Sequence, residues 1–333
     1  MQPAAPDANA IASFLRKGCG TDTLRVNAIA LLSGGAIQQN WKLDVTINGA
    51  AHAWVLRTDA EATVQSSSAR DREFAVLKFA EKHGLLAPRP LCLCNDTSVT
   101  GRPFFIMEKL PGVAAGHVVT RDASLVTNRR DLARQLAEAL ARIHAVQPAP
   151  DELAFLHSYR ARERIAALRA YLDAMDEPHP VLEWGLRWCE RRAPAQEELT
   201  FVHGDFRTGN YLVENNTVTG LLDWEFAAWG NPLEDVAWIC AKCWRFRKDG
   251  YIVGGVADLD DFIAPYEAAS GRKVSAADLH YWQVMAHIRW SVIALQQARR
   301  HLTGGEASLE LALTGKIVAE LEWEVLQLTE GHT

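Results

Sequence analysis

The stretch HGDFRTGN (residues 203–210), followed by LLDWE (residues 221–225), decides the fold assignment of this chain. The first motif has the form H-x-D-x-x-x-x-N and contains Asp205 and Asn210. The residues between Asn210 and Asp223 have the pattern of a strand, a tight turn and a second strand. Because such a hairpin brings its two ends together, Asn210 and Asp223 are expected to lie side by side.

These residue types suit the transfer of a phosphoryl group. A carboxylate such as Asp205 can hold an acceptor hydroxyl in line and accept its proton. A second carboxylate, Asp223, and the amide oxygen of Asn210 are hard oxygen ligands of the kind that Mg²⁺ prefers. A chance match in a solvated loop would explain the first motif alone, but the hairpin, the second acid and the apolar flanks all favour a functional site.

The two motifs resemble those of the aminoglycoside phosphotransferase and choline kinase group, which shares the protein-kinase fold. HGDFRTGN is similar to the catalytic loop of that group, and LLDWE is similar to its metal-binding element. The resemblance implies that Asp205 is the catalytic aspartate and that Asn210 and Asp223 bind magnesium. It covers roughly residues 30–238 of the chain.

Three more residues near these motifs are candidates for substrate contact or for support of the site. Glu225 follows the metal-binding motif by two residues, and Arg207 lies inside the catalytic loop. Asp235, in the stretch GNPLEDVAW, matches a position that braces the catalytic loop in the resembling group.

The N-terminal part contains a candidate loop for the phosphates of ATP. Ser33, Gly34 and Gly35 stand before a predicted strand and resemble the glycine loop of the group. Glycines let backbone N–H groups come close to an anion. A Gly-Gly pair before a strand is also typical of an ordinary turn.

Arg57 ends the predicted strand WVLR and matches the position of the phosphate-binding lysine of kinases. An arginine can hold phosphate oxygens with two parallel hydrogen bonds. Glu73, in the following predicted helix, is the expected ion-pair partner that orients Arg57. Asp71 is a weaker candidate for the same role, and a surface position for Glu73 is the alternative.

The stretch GRPFFIMEKLPG (residues 101–112) resembles the strand and hinge that border the adenine. Backbone groups of Glu108 and Leu110 are expected to contact the base. Because backbone groups discriminate little between purines, ATP is the expected nucleotide and GTP stays open.

The order of elements predicts an α+β, bilobal, protein-kinase-like fold. Residues 1–110 form a sheet-rich, nucleotide-binding N-lobe, and residues 111–333 form a larger helical C-lobe with the catalytic loop, the metal site and the acceptor-binding helices. The predicted strands are 40–47, 52–57, 91–95 and 103–109, and the predicted helices are 7–19, 68–83, 131–144, 158–175, 180–192 and 280–300.

Composition limits the other function classes. The chain has 333 residues, 48% of them hydrophobic, and a net charge of -6, which argues against a general nucleic-acid-binding surface. No apolar run is long enough for a membrane span and the N-terminus does not have a secretory pattern, so we expect a cytoplasmic protein. Cys240 and Cys243 form C-x-x-C, for which buried reduced thiols are more plausible than a metal or redox site.

The segment KCWRFRK (residues 242–248) holds four cations and suggests the chemical class of the acceptor. Trp244, Arg245 and Arg247 are candidates to receive a carboxylate, a phosphate or a CoA-like group, with stacking on Trp244 or Phe246. The alternative is a solvated helix end whose cations complement the helix dipole. Aromatic residues of the predicted helix 280–300 either line the acceptor site or belong to the core.

Three functions remain for comparison. A kinase that acts on a hydroxyl of a small molecule agrees with all motifs. A nucleotide-binding pseudokinase with a regulatory role would be expected to have lost one of the acids, yet Asp205 and Asp223 are both present. A protein kinase needs a long activation segment, and Pro232 follows Asp223 too closely to leave room for one. Protein partners are not indicated by any motif.

Overall fold

The computed structural model describes residues 4–19, 21–32, 38–59, 67–148, 151–303 and 308–330. The chain divides into two compact units, Met1–Leu110 and Pro111–Thr333, called here the N-terminal and the C-terminal unit. The candidate glycine loop at Ser33, Gly34 and Gly35 lies outside the described residues.

The N-terminal unit is an antiparallel sheet with helices against it. Its strands pair in the order β1-β2-β3-β5-β4. In chain order the elements are α1 (Ala8–Cys19), β1 (Arg25–Leu31), β2 (Gln38–Ile47), β3 (Ala50–Asp59), α2 (Ser67–Lys82), β4 (Pro90–Cys94), α3 (Thr97–Thr100) and β5 (Phe104–Glu108).

Local sequence signals account for most of these boundaries. The side chain of Asp7 accepts a hydrogen bond from the backbone N–H of Asn9 across 2.8 Å, as a residue at the start of a helix should. Asn48 and Gly49 have φ values of 51° and 83°, which the tight turn between β2 and β3 requires. Strand β1 was not predicted from the sequence. Its burial pattern in the structure shows no regular alternation of buried and exposed residues.

The two faces of this sheet bury different groups. Leu56 and Phe104 pack with Ile11 of α1 in one apolar cluster. On strand β3 the next residue, Arg57, pairs in register with Phe105 of β5, whose ring contacts α2 instead. The alternation of side chains along a strand therefore turns Arg57 away from the α1 cluster and towards α2.

The C-terminal unit is mainly helical. Its helices are α4 (Gly116–Val119), α5 (Arg129–His144), α6 (Ala161–Asp173), α7 (Pro180–Arg192), α8 (Leu233–Cys240), α9 (Asp260–Ser270), α10 (Ala276–Leu302), α11 (Leu309–Lys316) and α12 (Val318–Thr329). The strands are β6 (Ser158–Tyr159), β7 (Thr200–Val202), β8 (Tyr211–Glu214), β9 (Thr217–Leu221) and β10 (Ala228–Gly230), and 3₁₀-helices cover Trp224–Phe226 and Lys242–Trp244.

One predicted helix of this unit is shorter than expected. The helix expected at 158–175 begins only at Ala161, because Ser158 and Tyr159 pair with β10 as a short parallel strand. Helix α8 ends at Cys240, so Cys240 and Cys243 do not share one helix. Both thiols are free, and burial raises the pKa of Cys240 to about 12.

Helix α10 lies at the centre of the C-terminal unit and packs against α7, α8, α11 and α12. Trp282 is 2% exposed, so this part of the predicted aromatic stripe belongs to the core. In the described part of the chain, no helix combines the length and the apolar character that a membrane span would need.

Candidate active site

The loop of residues 203–210 connects β7 to β8, and a buried carboxylate holds its start. Asp235 of α8 accepts hydrogen bonds from the backbone N–H groups of His203 and Gly204, at 2.7 and 2.9 Å. Asp235 is 1% exposed, so these bonds form away from water, where they are strong. The loop therefore leaves β7 in a fixed direction.

A histidine on α5 supports Asp235 from the other side. His144 Nε2 lies 3.2 Å from the carboxylate of Asp235, and His144 Nδ1 lies 2.8 Å from the hydroxyl of Tyr266. Burial lowers the pKa of His144, so a neutral ring donates from Nε2 and accepts from Tyr266. Burial acts to raise the pKa of Asp235, but the hydrogen bonds from the His144 ring and from the backbone N–H of His203 hold it below its ordinary value.

The side chain of Asp205 is fixed by three donors. Trp238 of α8 donates its indole N–H to Oδ1 across 2.7 Å, and Arg207 donates its Nε–H to the same oxygen across 3.0 Å. Asn210 donates its amide N–H to Oδ2. Asp205 is 8% exposed. The three donors give its carboxylate one defined orientation.

Asn210 and Asp223 lie at the open end of the β8–β9 hairpin. Tyr211 pairs with Leu221, and the N–H of Leu222 donates to the carbonyl of Asn210 across 2.7 Å. The backbone of Asp223 has φ 59° and ψ 62°, a left-handed conformation that is costly for a residue with a side chain. Such strain is found mainly where function requires a fixed side-chain position.

The oxygen atoms at this end of the hairpin fit a magnesium ion. Asn210 uses its amide nitrogen to bond the backbone and the side chain of Asp205, which leaves its Oδ1 as the atom that can face a cation. The carboxylate of Asp223 is the second side chain here whose oxygens have the chemistry of a magnesium ligand. Among the described residues no group of three or more His, Cys, Asp or Glu side chains could hold a metal. One amide and one carboxylate match the chemistry of Mg²⁺, which usually takes one or two protein ligands together with waters and substrate phosphates.

Gly204 allows the loop to pack closely against the turn that carries Asp223. Gly204 has φ 77°, and a Cβ at this position would lie 2.1 Å from the carbonyl oxygen of Phe226. The ring of His203 lies 4.6 Å from that of Trp224, between centroids. These contacts bring the start of the catalytic loop against the 3₁₀-helix that follows Asp223.

In the N-terminal unit, Arg57 belongs to a buried ionic network. Its Nε lies 3.0 Å from Oε1 of Glu73, and Arg70 Nη1 donates to Oε2 of Glu73 across 2.7 Å. Arg70 Nε lies 3.2 Å from Asp59. Burial raises the pKa of Asp59, although the neighbouring arginines act to lower it. Asp71 is exposed on the same helix, so Glu73 is the acid that meets Arg57.

Sequence reasoning did not identify Arg70 or Asp59. Arg70 stands three residues before Glu73, and Asp59 stands two residues after Arg57 on the same strand face. This spacing was a usable signal, since i and i+3 side chains meet on a helix and i and i+2 share a strand face.

The hinge residues are placed at the end of the sheet. The N–H of Glu108 already donates to the carbonyl of Arg89, and the side chains of the two residues form an ion pair at the surface. Leu110 is the last residue of the N-terminal unit.

The candidate acceptor residues are mostly occupied within the chain. Trp244 is only 7% exposed, and its ring contacts Trp238, Trp290 and the guanidinium of Arg207, which lies 4.4 Å from its centroid. The expectation that a ligand stacks on Trp244 is therefore wrong, because the core covers the ring. Arg245 donates to the carbonyl of Cys240 across 2.8 Å.

Arg247 and Glu225 are exposed. Phe246 and Arg247 have φ values of 49° and 62°, so the backbone is left-handed at two consecutive residues. The ring of Phe246 packs against Gly116, where an added Cβ would lie 2.2 Å from it. The packing of Phe246 thus anchors the turn, and the neighbouring Arg247 is exposed at the surface.

Trp238 and Arg289 contact the loop of residues 203–210 and were not assigned to it from the sequence. Trp238 follows Asp235 by three residues and lies on the same face of α8. Arg289 is a cation inside the buried part of α10 and donates to the carbonyl of Gly204 across 2.7 Å. A charged residue inside an apolar helical pattern was the available signal.

Comparison with known proteins gives three findings. The model of a family described as "Phosphotransferase enzyme family" matches residues 28–279. The acyl-CoA dehydrogenase family member 10 of Mus musculus is 28% identical over 293 residues, which are 81% of this chain. These residues cover 27% of the mouse protein, so the chain corresponds to a minor part of that relative.

Solved structures show the same fold. A putative aminoglycoside phosphotransferase from Ralstonia eutropha JMP134 superposes with a TM-score of 0.73 at 20% identity, covering 97% of this chain and 98% of that one. A thermostable mutant of aminoglycoside phosphotransferase APH(4)-Ia, in a complex with AMP-PNP and hygromycin B, superposes with a TM-score of 0.65 at 19% identity. That superposition covers 97% of this chain and 100% of the other. The α+β, kinase-like fold predicted from the motifs is confirmed.

Proposed function

Because the chain belongs to the phosphotransferase enzyme family, we propose that it transfers the γ-phosphoryl group of ATP to a hydroxyl of a small molecule. The observation that carries this proposal is the fixed carboxylate of Asp205, which shares a hydrogen bond with Asn210 at the hairpin end that also bears Asp223. The proposal is supported by the position of these three residues on one loop and the hairpin that directly follows it.

The residues of the C-terminal unit have distinct roles in this proposal. Phosphoryl transfer passes through a loose transition state, so catalysis depends mainly on positioning and on charge. Asp205 orients the acceptor hydroxyl and accepts its proton late in the reaction. Asn210 and Asp223 hold Mg²⁺, which when bound offsets the charge of the phosphates.

Arg57 is the proposed phosphate-binding residue of the N-terminal unit. Its Nε faces Glu73, which fixes the guanidinium, and a guanidinium is suited to binding phosphate oxygens. Since the carboxylate of Glu73 also binds Arg70, the position of Arg57 is set by buried groups and not by solvent.

The acceptor that we propose carries an anionic or CoA-like group. Arg247 supports this proposal, because it is an exposed cation in a turn with left-handed backbone. The turn follows Trp244, whose ring contacts the guanidinium of Arg207. Two relatives are named "Acyl-CoA dehydrogenase family member 10" and "Probable acyl-CoA dehydrogenase IBR3", and a CoA-linked substrate for this chain agrees with those names. The alternative of a regulatory pseudokinase is opposed by the presence of Asp205, Asn210 and Asp223 together.

A screen for ADP release tests the proposal. Purified protein with MgATP is offered hydroxylated carboxylic acids, hydroxyacyl-CoA thioesters and aminoglycosides, and Asp205→Asn serves as the blank. We expect turnover with an anionic or CoA-linked hydroxy compound and none with the blank. Turnover with aminoglycosides alone would contradict the acceptor assignment, and equal turnover with the blank would contradict the catalytic one.

The role of Arg247 is tested by charge reversal once an acceptor is known. Arg247→Glu should raise the KM of the anionic acceptor and leave the KM of ATP unchanged. Arg191→Glu is the matched control, since Arg191 is another exposed arginine of the same unit with no proposed role. An unchanged acceptor KM in Arg247→Glu would remove Arg247 from the acceptor site.

A further inference from the structure

Arg289 is a buried cation without a carboxylate partner. It is 8% exposed, and no carboxylate of the described residues forms an ion pair with it. Its guanidinium donates to the carbonyl of Gly204 across 2.7 Å and lies 4.6 Å from the ring centroid of Trp238. Burial lowers the pKa of Arg289, but an arginine stays protonated in proteins. Taking such a charge out of water is costly, so an apolar side chain of similar size would serve stability better.

Both contacts of Arg289 lead to Asp205. Gly204 is the residue directly before Asp205, so its carbonyl belongs to the peptide bond that enters Asp205. Trp238 donates its indole N–H to Oδ1 of Asp205 across 2.7 Å. Arg289 therefore supports both the backbone that carries Asp205 and the indole that orients its carboxylate.

The residue before Asp205 is held at both of its polar groups. Asp235 accepts the N–H of Gly204 across 2.9 Å, and Arg289 donates to the carbonyl of Gly204. Gly204 has a positive φ of 77°, a conformation that a glycine leaves easily unless hydrogen bonds hold it. The two buried charges, one on α8 and one on α10, thus fix the single flexible residue next to Asp205.

We infer that Arg289 is a positioning residue for Asp205: it holds the carbonyl of Gly204 and the indole of Trp238 so that the Asp205 carboxylate faces the acceptor hydroxyl. The inference rests on the proposed function, in which Asp205 acts on that hydroxyl. Arg289 itself does not touch the substrate, and its effect should appear in the transfer step and not in nucleotide binding.

The test compares Arg289→Met, which keeps the size of the side chain and removes its charge and donors, with Arg164→Met. Arg164 is a matched control, because it is also a largely buried arginine, paired with Glu234 across 3.0 Å and stacked on Tyr159. The readouts are the kcat of ADP release with the best acceptor from the screen, the affinity for MgATP, and the Tm. We expect Arg289→Met to lower kcat roughly 10- to 100-fold with unchanged MgATP affinity, because a small displacement of a reacting group has effects of that size.

Arg164→Met should lower the Tm and leave kcat unchanged. Trp238→Phe, which removes only the indole N–H bound to Asp205, should lower kcat in the same way as Arg289→Met. Because both act on Asp205, the double variant should lose less than the product of the two single effects. Arg289→Lys keeps a charged donor and should recover part of kcat. Arg289→Gln, which removes the charge and shortens the side chain, decides the question if Arg289→Met does not fold.

The outcomes separate the inference from the function on which it rests. Wild-type kcat in folded Arg289→Met or Arg289→Gln, together with wild-type kcat in Trp238→Phe, would overturn the positioning role while Asp205→Asn still abolishes turnover. An equal loss of kcat in Arg164→Met would reduce Arg289 to a structural residue. Undiminished turnover in Asp205→Asn would instead overturn the proposed function, and the role of Arg289 with it.

Discussion

The Oε1 atom of Glu73 lies 3.0 Å from Nε of Arg57, and the two side chains are 3% and 5% exposed. The same carboxylate accepts a hydrogen bond from Arg70, so one buried acid orients two buried guanidinium groups. Removing the charge of Glu73 would take one buried carboxylate from both cations.

Glu73→Gln should therefore affect both nucleotide use and stability. We expect the KM of ATP to rise, because Arg57 loses its orientation. The free energy of unfolding should fall by about 3–5 kcal/mol, the usual cost of removing one partner from a buried charge network. Steady-state ADP release at varied ATP and urea denaturation measure the two effects.

Glu81→Gln is the control on the same helix. Glu81 pairs with Lys78 across 3.2 Å, and the side chain of Glu81 is 38% exposed. Loss of an exposed pair of this kind costs about 0.2–1 kcal/mol and should leave the KM of ATP unchanged. Equal effects in the two variants would remove Glu73 from the orientation of Arg57.

Asp205→Asn and Asp223→Asn should fail in different steps. Asp205→Asn should lower kcat by roughly 10²- to 10⁴-fold, the range for loss of a proton acceptor, while MgATP still binds. Asp223→Asn should weaken nucleotide binding only when magnesium is present. Calorimetric titration with ATP, with and without Mg²⁺, distinguishes the two, and near-normal turnover in Asp205→Asn would refute its assignment.

Gly204→Ala should inactivate the protein, whereas Gly84→Ala should not. Both glycines have positive φ, 77° and 65°, and an alanine in this conformation costs about 1–2 kcal/mol. A Cβ on Gly204 would in addition lie 2.1 Å from the carbonyl of Phe226, whereas nothing lies within 4 Å of one on Gly84. Urea denaturation and ADP release measure both variants. Full activity in Gly204→Ala would show that the loop tolerates displacement.

Stability should decrease as the pH falls through the range where free histidines take up protons. Burial lowers the pKa of His144, His203 and His287 in the folded chain. Below about pH 6.5 the unfolded chain therefore binds protons that the folded chain does not, and unfolding becomes easier. Each such histidine contributes at most about 1.4 kcal/mol per pH unit. Urea denaturation at about pH 7.5 and about pH 5.5 measures the slope.

His287→Gln isolates one of these contributions. The Nδ1–H of His287 donates to the carbonyl of Gln283 across 2.7 Å, and its Nε2 is buried without a partner. The variant should show a shallower decrease of stability with falling pH than the wild type, and the exposed His52→Gln should show no change. The buried Asp59 and the half-buried Glu197, whose pKa values burial raises, act in the opposite direction, and these two acids are the same in all three proteins. An unchanged slope in His287→Gln would contradict the prediction.

The features that could be predicted are those set by neighbours in sequence. The turn at Asn48 and Gly49 follows from backbone conformation alone. Asn210 and Asp223 come together because a hairpin of a few residues joins them. Asp205 and Asn210 share one loop, so their hydrogen bond needs no distant segment.

The features that were missed depend on segments far apart in the chain. Trp244 stands among cations and resembles a surface residue, yet Trp290 and the guanidinium of Arg207 cover its ring. Ser158 and Tyr159 look like the start of a helix, but pairing with β10 draws them into a strand. In both cases burial and pairing outweighed the local pattern.

The sequence by itself determined the motifs, the hairpin that joins Asn210 to Asp223, and the kinase-like fold to which they belong. Only the tertiary structure decided that Trp238 and Arg289, separated from the loop by 33 and 85 positions, hold Asp205 and Gly204. The physical reason is that local propensity and periodicity indicate which face of a helix is buried. The partner that each buried polar group finds there depends on how the helices pack.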